Sequence, residues 1–132
     1  MASLIRKAVI AAATVVAIAA CASARVPVQN YQNVPIEAKS NPTLEQVGKA
    51  IVAGSLAAGW QANEIRPGSI VALYKIRTHT AVVDIAYTTK AYNITFKDGD
   101  PGLKYDGQSI HQNYNDWVQS LERVIRAHVN SL

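Results

Sequence analysis

The stretch SIVALYKIRTHTAVVDIAYTTKAYNITFK, residues 69–97, decides the fold, because it holds three consecutive segments with the pattern of β-strands. The predicted strands are Ser69–Arg77, Thr80–Thr88 and Ala91–Lys97, with Thr78-His79 and Thr89-Lys90 as two-residue turns. Val, Ile, Thr, Tyr and Phe dominate these segments, and such residues favour strands. The stretch therefore predicts a three-stranded antiparallel meander.

The register of this meander follows from side-chain alternation, since every second residue of a strand points to the same face. With two-residue turns one face becomes wholly apolar, and a slip by one residue would turn that face to solvent. The predicted partners on it are Ile76 with Ala81, Tyr74 with Val83, Ala72 with Ile85, Ile70 with Tyr87, Tyr87 with Tyr92, Ile85 with Ile94 and Val83 with Phe96.

The opposite face of the meander is mostly polar. It holds a small apolar patch, formed by Val71, Leu73 and Val82. In the predicted register Asp84 lies diagonal to Lys75 and Lys97, which indicates an ion pair rather than a catalytic base. The apolar patch is one candidate binding surface of the domain.

One amphipathic helix is predicted before the meander in the sequence and another after it. The first follows Asn41-Pro42, has Thr43 and Gln46 at capping-box spacing, and ends at Gly59. The last runs from about Ile110 to Asn130 with Ser109 as its N-cap. The prediction is an α+β two-layer sandwich in the order α-β-β-β-α, with the three-stranded antiparallel meander covered on one face by both helices.

The N-terminal segment has the pattern of an export signal. Arg6 and Lys7 precede an uncharged run from Ala8 to Ala20, which is too short to span a bilayer as a stable helix. The following Ile18-Ala19-Ala20-Cys21 is similar to the bacterial lipobox. The resemblance implies diacylglycerol transfer to the Cys21 sulfur, cleavage before Cys21, and N-acylation.

Three regions are predicted on this basis: a lipoprotein signal peptide at residues 1–20, an extended tether at 21–41 containing Pro27 and Pro35, and the α+β domain at 42–132. Ala22 rather than an aspartate follows the cysteine, which by resemblance to Gram-negative sorting implies the outer membrane, on its periplasmic face. The alternative is cleavage after Ala24, which would release a soluble periplasmic protein without a cysteine.

Composition narrows the range of partners. The net charge is +4, but without Arg6 and Lys7 there are 11 basic and 9 acidic residues, too small a balance to indicate nucleic acid. A single cysteine excludes an internal disulfide. The expected partners are the membrane, through lipid on Cys21, and an envelope protein.

The histidines provide weak signals for chemistry. His79, His111 and His128 lack the spacing of a zinc site, and we expect no metal, no cofactor and no catalytic residue. The rim near His79 and His111 is instead the alternative to the Val71, Leu73 and Val82 patch as the candidate binding surface. A hydrolase remains as an alternative, and it would need a pocket joining His111 to Asp106 or Ser109.

The loop after the meander is rich in aspartate and glycine. Asp98 and Asp100 resemble the start of a calcium loop, but Lys104 follows and no glutamate closes the pattern. The loop therefore predicts tight turns, in which each aspartate side chain forms hydrogen bonds with nearby backbone groups.

The C-terminal half contains Tyr105-Asp106-Gly107, Ile110-His111, Tyr114-Asn115 and Trp117-Val118. With Gly59-Trp60, Arg77-Thr78-His79 and the strand 81–87, these residues resemble a family of small, uncharacterised bacterial lipoproteins that carry a lipobox. The resemblance spans roughly residues 59–125 and departs at Asp100-Pro101-Gly102. The resemblance implies the topology and the envelope location, but it does not imply any particular activity. The predicted function is a non-catalytic, lipid-anchored envelope protein that acts as a binding or structural module.

Overall fold

The computed structural model describes residues 25–132, so the predicted signal peptide and Cys21 lie outside the described residues. The domain is α+β, with two α-helices and antiparallel strands. Its elements are β1 (Arg25–Pro27), β2 (Tyr31–Pro35), α1 (Leu44–Ala57), β3 (Gln61–Arg66), β4 (Ser69–Ile76), β5 (His79–Tyr87), β6 (Ala91–Gly99), a 3-10 turn (Pro101–Leu103), β7 (Ser109–His111) and α2 (Gln112–Asn130).

The main sheet has five strands rather than the three predicted, in the order β2-β6-β5-β4-β3. The predicted meander is its centre, β4-β5-β6. The edge strand β3 escaped prediction because it is largely polar and exposed, with no apolar alternation to reveal it. A separate two-stranded ladder joins β1 to β7.

The two hairpins of the meander differ in how well their register was predicted. In the second hairpin the predicted partners are confirmed, with Tyr87 opposite Tyr92 and Ile85 opposite Ile94. In the first the prediction was wrong by two residues. The turn is Arg77-Thr78, with Arg77 at φ 54°, and Ile76 lies opposite His79. An even shift keeps every side chain on its predicted face, so the apolar face is retained.

One core lies between this apolar face and the two helices. It includes Ile70, Val83 and Ile85 from the sheet, together with buried residues of both helices. The helices are in close contact at Gly54, where an added Cβ would lie 3.0 Å from the Ile125 Cα. Leu56 lies on the solvent side of α1 and is 57% exposed.

The ends of α1 match the sequence signals. Thr43 accepts a hydrogen bond from the Gln46 N–H, and the Gln46 side chain accepts one from the Thr43 N–H, as in a capping box. Gly59 follows the helix at φ +87°, a left-handed conformation that suits glycine. Trp60 then folds back into the core and its N–H donates to the Ser55 carbonyl at 2.9 Å.

Residues 25–41 do not form the predicted tether. β1 pairs with β7, and β2 pairs with β6 at the edge of the main sheet. Val28, Tyr31 and Val34 pack against the core, so apolar side chains spaced too irregularly to predict a strand still have a place to bury. The folded domain therefore includes residues 25–41 as well as the predicted residues 42–132.

Candidate functional site

The candidate site is built around His79 and Asp100, which lie 21 residues apart in the sequence. His79 opens β5, and Asp100 directly follows β6. Because the two strands are antiparallel, the start of one meets the end of the other, and Ala81 pairs with Gly99. This register brings His79 Nδ1 to 3.1 Å from Asp100 Oδ2.

The Asp100 carboxylate is held by three donors. The Thr80 N–H donates to Oδ1 at 2.8 Å, while the Gly102 N–H at 2.9 Å and the His79 ring reach Oδ2. Partial desolvation opposes ionisation of Asp100, but these bonds outweigh it and hold the pKa of the carboxyl below its usual value. Asp100 is therefore an anion at neutral pH and accepts from Nδ1–H. In the neutral imidazole this leaves Nε2 as an acceptor for a ligand.

The turn after Asp100 is shaped for this contact. Pro101 begins the 3-10 turn, with Asp100 as its N-cap. A Cβ added to Gly102 would lie 2.8 Å from both Asp100 Oδ2 and His79 Cε1. Any larger residue at position 102 would displace the imidazole or the carboxylate, so glycine is required here for close packing.

A row of aromatic rings runs from the core to His79. Trp60 stacks on Tyr74 with ring centroids 5.1 Å apart, and Tyr74 meets Trp117 edge to face at 5.4 Å. The Trp117 ring then lies 6.1 Å from that of His79. Such pairs add stability beyond their buried area. Trp117 and Tyr74 are half-buried, so the row joins the packed interior to the surface.

The row ends in a surface groove of about 340 Å³ between the β4-β5 hairpin tip and the first turns of α2. Its lining is Ile76, Arg77, Thr78, His79, Asn113 and Trp117. The groove combines an indole wall, a guanidinium, an amide and an oriented imidazole. It lies within the usual size range of ligand sites, and its polar groups are few and convergent.

The predicted binding residues do not form one surface. Leu73 pairs with Val82 on the outer sheet face, with Val71 beside them, and all three are half-buried. His79 has the side-chain parity of the inner, helix-covered face, at its edge. The structure thus separates the Val71–Leu73–Val82 patch from the groove.

The Asp84 prediction is confirmed in part. Asp84 pairs with Lys97 at 3.3 Å on the outer face. The predicted diagonal contact with Lys75 was wrong, because the shifted first hairpin places Asp84 opposite Val71 and Lys75 opposite Thr80. Both ionic side chains of the observed pair are about half exposed, so the pair adds little stability.

His111 serves α2 rather than a catalytic pocket. Its Nδ1 accepts from the Asn113 N–H at 3.1 Å, so His111 is the N-cap that was predicted for Ser109. Asp106 accepts from the N–H groups of Gln108 and Ser109 and forms an ion pair with Arg25. Ser109 lies in β7 opposite Pro27 instead.

The loop aspartates accept hydrogen bonds from backbone N–H groups, as predicted for residues in turns. Asp98 accepts from the Gly99 N–H, and Asp106 closes the turn before β7. Within residues 25–132, no group of three or more His, Cys, Asp or Glu side chains could hold a metal ion. No helix of the described part of the chain is long and apolar enough to cross a membrane.

The His79–Asp100 contact does not follow from the pattern of either loop alone, because it joins residues 21 positions apart. A signal was present in the second hairpin, since its pairing continues across a bulge between Val82 and Val83 to Ala81 opposite Gly99, and this brings the start of β5 to the residues after β6. Comparison with known proteins adds nothing to this site, since no protein-family model, no curated protein and no solved structure matches the chain.

Proposed function

We propose that the protein is a non-catalytic, lipid-anchored protein of the bacterial envelope that binds a protein partner in the groove beside Trp117. The observation that carries the binding site is the groove itself, in which Asp100 orients His79 and the indole of Trp117 forms one wall. The observation that carries the location is the leader that ends in Ile18-Ala19-Ala20-Cys21.

The residue types of the groove favour a protein partner. Trp, Tyr and Arg are enriched among the residues that dominate the energy of protein interfaces. Trp117 and Arg77 both line the groove, and Ile76 in the same lining is 36% exposed. The aromatic row behind Trp117 keeps that anchor in place before binding, which lowers the entropy lost on association.

The hydrogen bonds of the histidines support binding rather than catalysis. Nδ1 of His111 caps a helix, and Nδ1 of His79 is engaged by Asp100. In residues 25–132, neither imidazole has a serine or threonine hydroxyl among its hydrogen-bond partners, as an activated nucleophile would require. Enzymes that use a histidine base position a nucleophile against it.

The anchor is tested by substituting Cys21. The wild-type precursor, expressed in a Gram-negative host, should appear in the membrane fraction with the intact mass of a chain that starts at Cys21 and carries acyl groups. The Cys21→Ser variant should lose both the lipid and the membrane association. A Cys21→Ser protein that stays in the membrane fraction would contradict the anchor.

The groove is tested by photo-crosslinking in cells, with a photoreactive amino acid at Thr78 and, as control, at Ile65 on the edge strand β3. We expect a discrete crosslinked product from position 78 only. Arg77→Glu should abolish it, and Lys90→Glu at the opposite end of the sheet should leave it unchanged. Equal products from both positions, or insensitivity to Arg77→Glu, would refute the groove as the binding site.

A soluble periplasmic binding protein is the second candidate, and the Ala22-Ser23-Ala24 sequence, which has the A-x-A pattern of a signal-peptide cleavage site, favours it. Intact mass decides between the two, because the product of cleavage after Ala24 starts at Arg25 and contains no cysteine.

A further inference from the structure

We infer that the domain lies directly on the membrane, in contact with anionic lipid headgroups through a surface made of Arg25, Lys104, Tyr105 and Gln108. This inference rests on the proposed anchor at Cys21. We call these four residues the anchor-side surface. Arg25 contacts the loop that carries Lys104 and Tyr105 through its ion pair with Asp106, and the Tyr105 ring packs on Phe96 of β6.

The first argument is covalent reach. Residues 22–24 are all that separates Cys21 from Arg25. A chain covers at most about 3.6 Å per residue, so Arg25 lies within roughly 14 Å of Cys21. The acyl chains would hold Cys21 at the lipid surface, and the headgroup region itself is several ångströms deep. The domain therefore has no length of chain with which to stand clear of the membrane.

The second argument is that Arg25 belongs to a firmly attached element. β1 pairs residue for residue with β7, and the Val28 N–H donates to the Gln108 carbonyl at 2.9 Å. The Asn115 side chain donates to the Pro27 carbonyl at 2.9 Å. A short lead joined to a bonded strand restricts rotation of the domain, so one surface stays toward the lipid.

The third argument is the chemistry of the nearest loop. Lys104 and Tyr105 are exposed, and the Tyr105 ring rests 4.3 Å from the Phe96 ring with 44% of the residue open to solvent. Tyrosine is enriched at the membrane interface, and a lysine near an anionic surface contributes about 1 kcal/mol of attraction.

The acids of this region have partners within the domain. Asp106 forms an ion pair with Arg25, and the Asp100 carboxylate accepts hydrogen bonds from three donors. Asp98 lies opposite Val82, on the outer sheet face. Lys104 is thus the cation presented by the loop that follows the 3-10 turn, where it adopts a left-handed conformation at φ 52°.

The test uses the lipidated full-length protein in vesicles of phosphatidylethanolamine and phosphatidylglycerol. Acylated Cys21 carries no thiol, so one introduced cysteine is the only site for a fluorophore. Gln108→Cys reports on the anchor-side surface. Lys90→Cys is the matched control, because the nine residues of β6 separate the two ends of the sheet by about 30 Å. A quencher attached to lipid headgroups measures proximity.

We expect the label at position 108 to be quenched about threefold more strongly than the label at position 90, since quenching is short-range compared with that separation. Lys104→Glu should reduce this ratio while the protein stays lipidated. Equal quenching at the two positions in protein whose mass shows lipid on Cys21 overturns the inference and leaves the anchor standing. A mass without lipid overturns the anchor and the inference together.

Discussion

Two fully buried tyrosines, Tyr92 and Tyr114, provide a matched pair for testing how the core treats a hydroxyl group. They are 1% and 0% exposed. The Tyr92 hydroxyl donates to Glu122 Oε1 at 2.8 Å, and the other Glu122 oxygen lies 3.4 Å from the Arg126 guanidinium. The Tyr114 hydroxyl has no hydrogen-bond partner among the described residues. Replacing each tyrosine by phenylalanine removes the same atom from two different environments.

The two substitutions should change stability in opposite directions. Tyr92→Phe leaves a carboxylate oxygen of a nearly buried side chain without its donor, and losing a hydrogen bond to a charged group costs about 1.5–3 kcal/mol. Tyr114→Phe removes a desolvated polar group that gains no bond in return, so it should stabilise the domain by about 1 kcal/mol. The predicted difference between the two variants is about 3 kcal/mol.

Urea unfolding of each variant measures this difference directly. Thermal unfolding provides a second measurement. A change of 1 kcal/mol shifts Tm by roughly 4 °C for a domain of this size, so the Tm values of the two variants should differ by about 12 °C. Burial, together with the Glu122 carboxylate beside Tyr92, raises the pKa of Tyr92, and burial raises that of Tyr114. Both phenols are therefore neutral at pH 7, and ionisation does not confound the comparison.

A double-mutant cycle isolates the charge. In a Glu122→Gln background the acceptor is neutral, so Tyr92→Phe should cost only about 1 kcal/mol. The reasoning is refuted if Tyr114→Phe destabilises the domain as much as Tyr92→Phe does, because the Tyr114 hydroxyl would then have a stabilising partner.

Three other predictions concern single contacts. Thr43→Ala removes the N-cap of α1 and should lower the unfolding free energy by about 1 kcal/mol, whereas Thr43→Ser should not. Gly48→Ala should destabilise the domain despite the better helix propensity of alanine, because its Cβ would overlap the Tyr87 hydroxyl. Most of this loss of stability should disappear in a Tyr87→Phe background. Chemical denaturation of the wild type, the two single variants and the double variant measures both effects. Asp100→Asn should destabilise the domain by about 1 kcal/mol at pH 7. Because folding lowers the pKa of Asp100, its contribution is present above the unfolded pKa of about 3.9 and is lost as pH falls through the folded pKa, so thermal unfolding of variant and wild type should converge in acid.

The sequence predicted the centre of the fold and missed its margins for one physical reason. Strands β4 to β6 bury one face, and burial imposes an alternation that can be read, including the pairing of Tyr87 with Tyr92. The edge strands β2 and β3 bury less, and β1 has three residues, so their composition stays close to that of loops. Turn geometry was the other gap, because Arg77-Thr78 carries none of the usual residues of a tight hairpin turn.

The site was predictable only in fragments. His79 was singled out as a rim residue, and Asp100 was interpreted as turn chemistry, which is correct for its bond to Gly102. The sequence around one residue does not predict the other as its partner, because the contact depends on where two strands end relative to each other. Trp117 belongs to the segment that carries the family resemblance, and in the structure it is a wall of the groove.

The N-terminal strands also determine how the domain would respond to mechanical load. A pulling force applied at Arg25 acts first on the three-residue ladder between β1 and β7, and then on β2, an edge strand with a break in its pairing to β6. Peeling breaks hydrogen bonds one at a time, so these two strands would detach before the central strands of the sheet are loaded. Residues 25–35 would then span up to about 36 Å between their ends. Tension would thereby create the flexible arm that the sequence predicts and that the resting fold does not have.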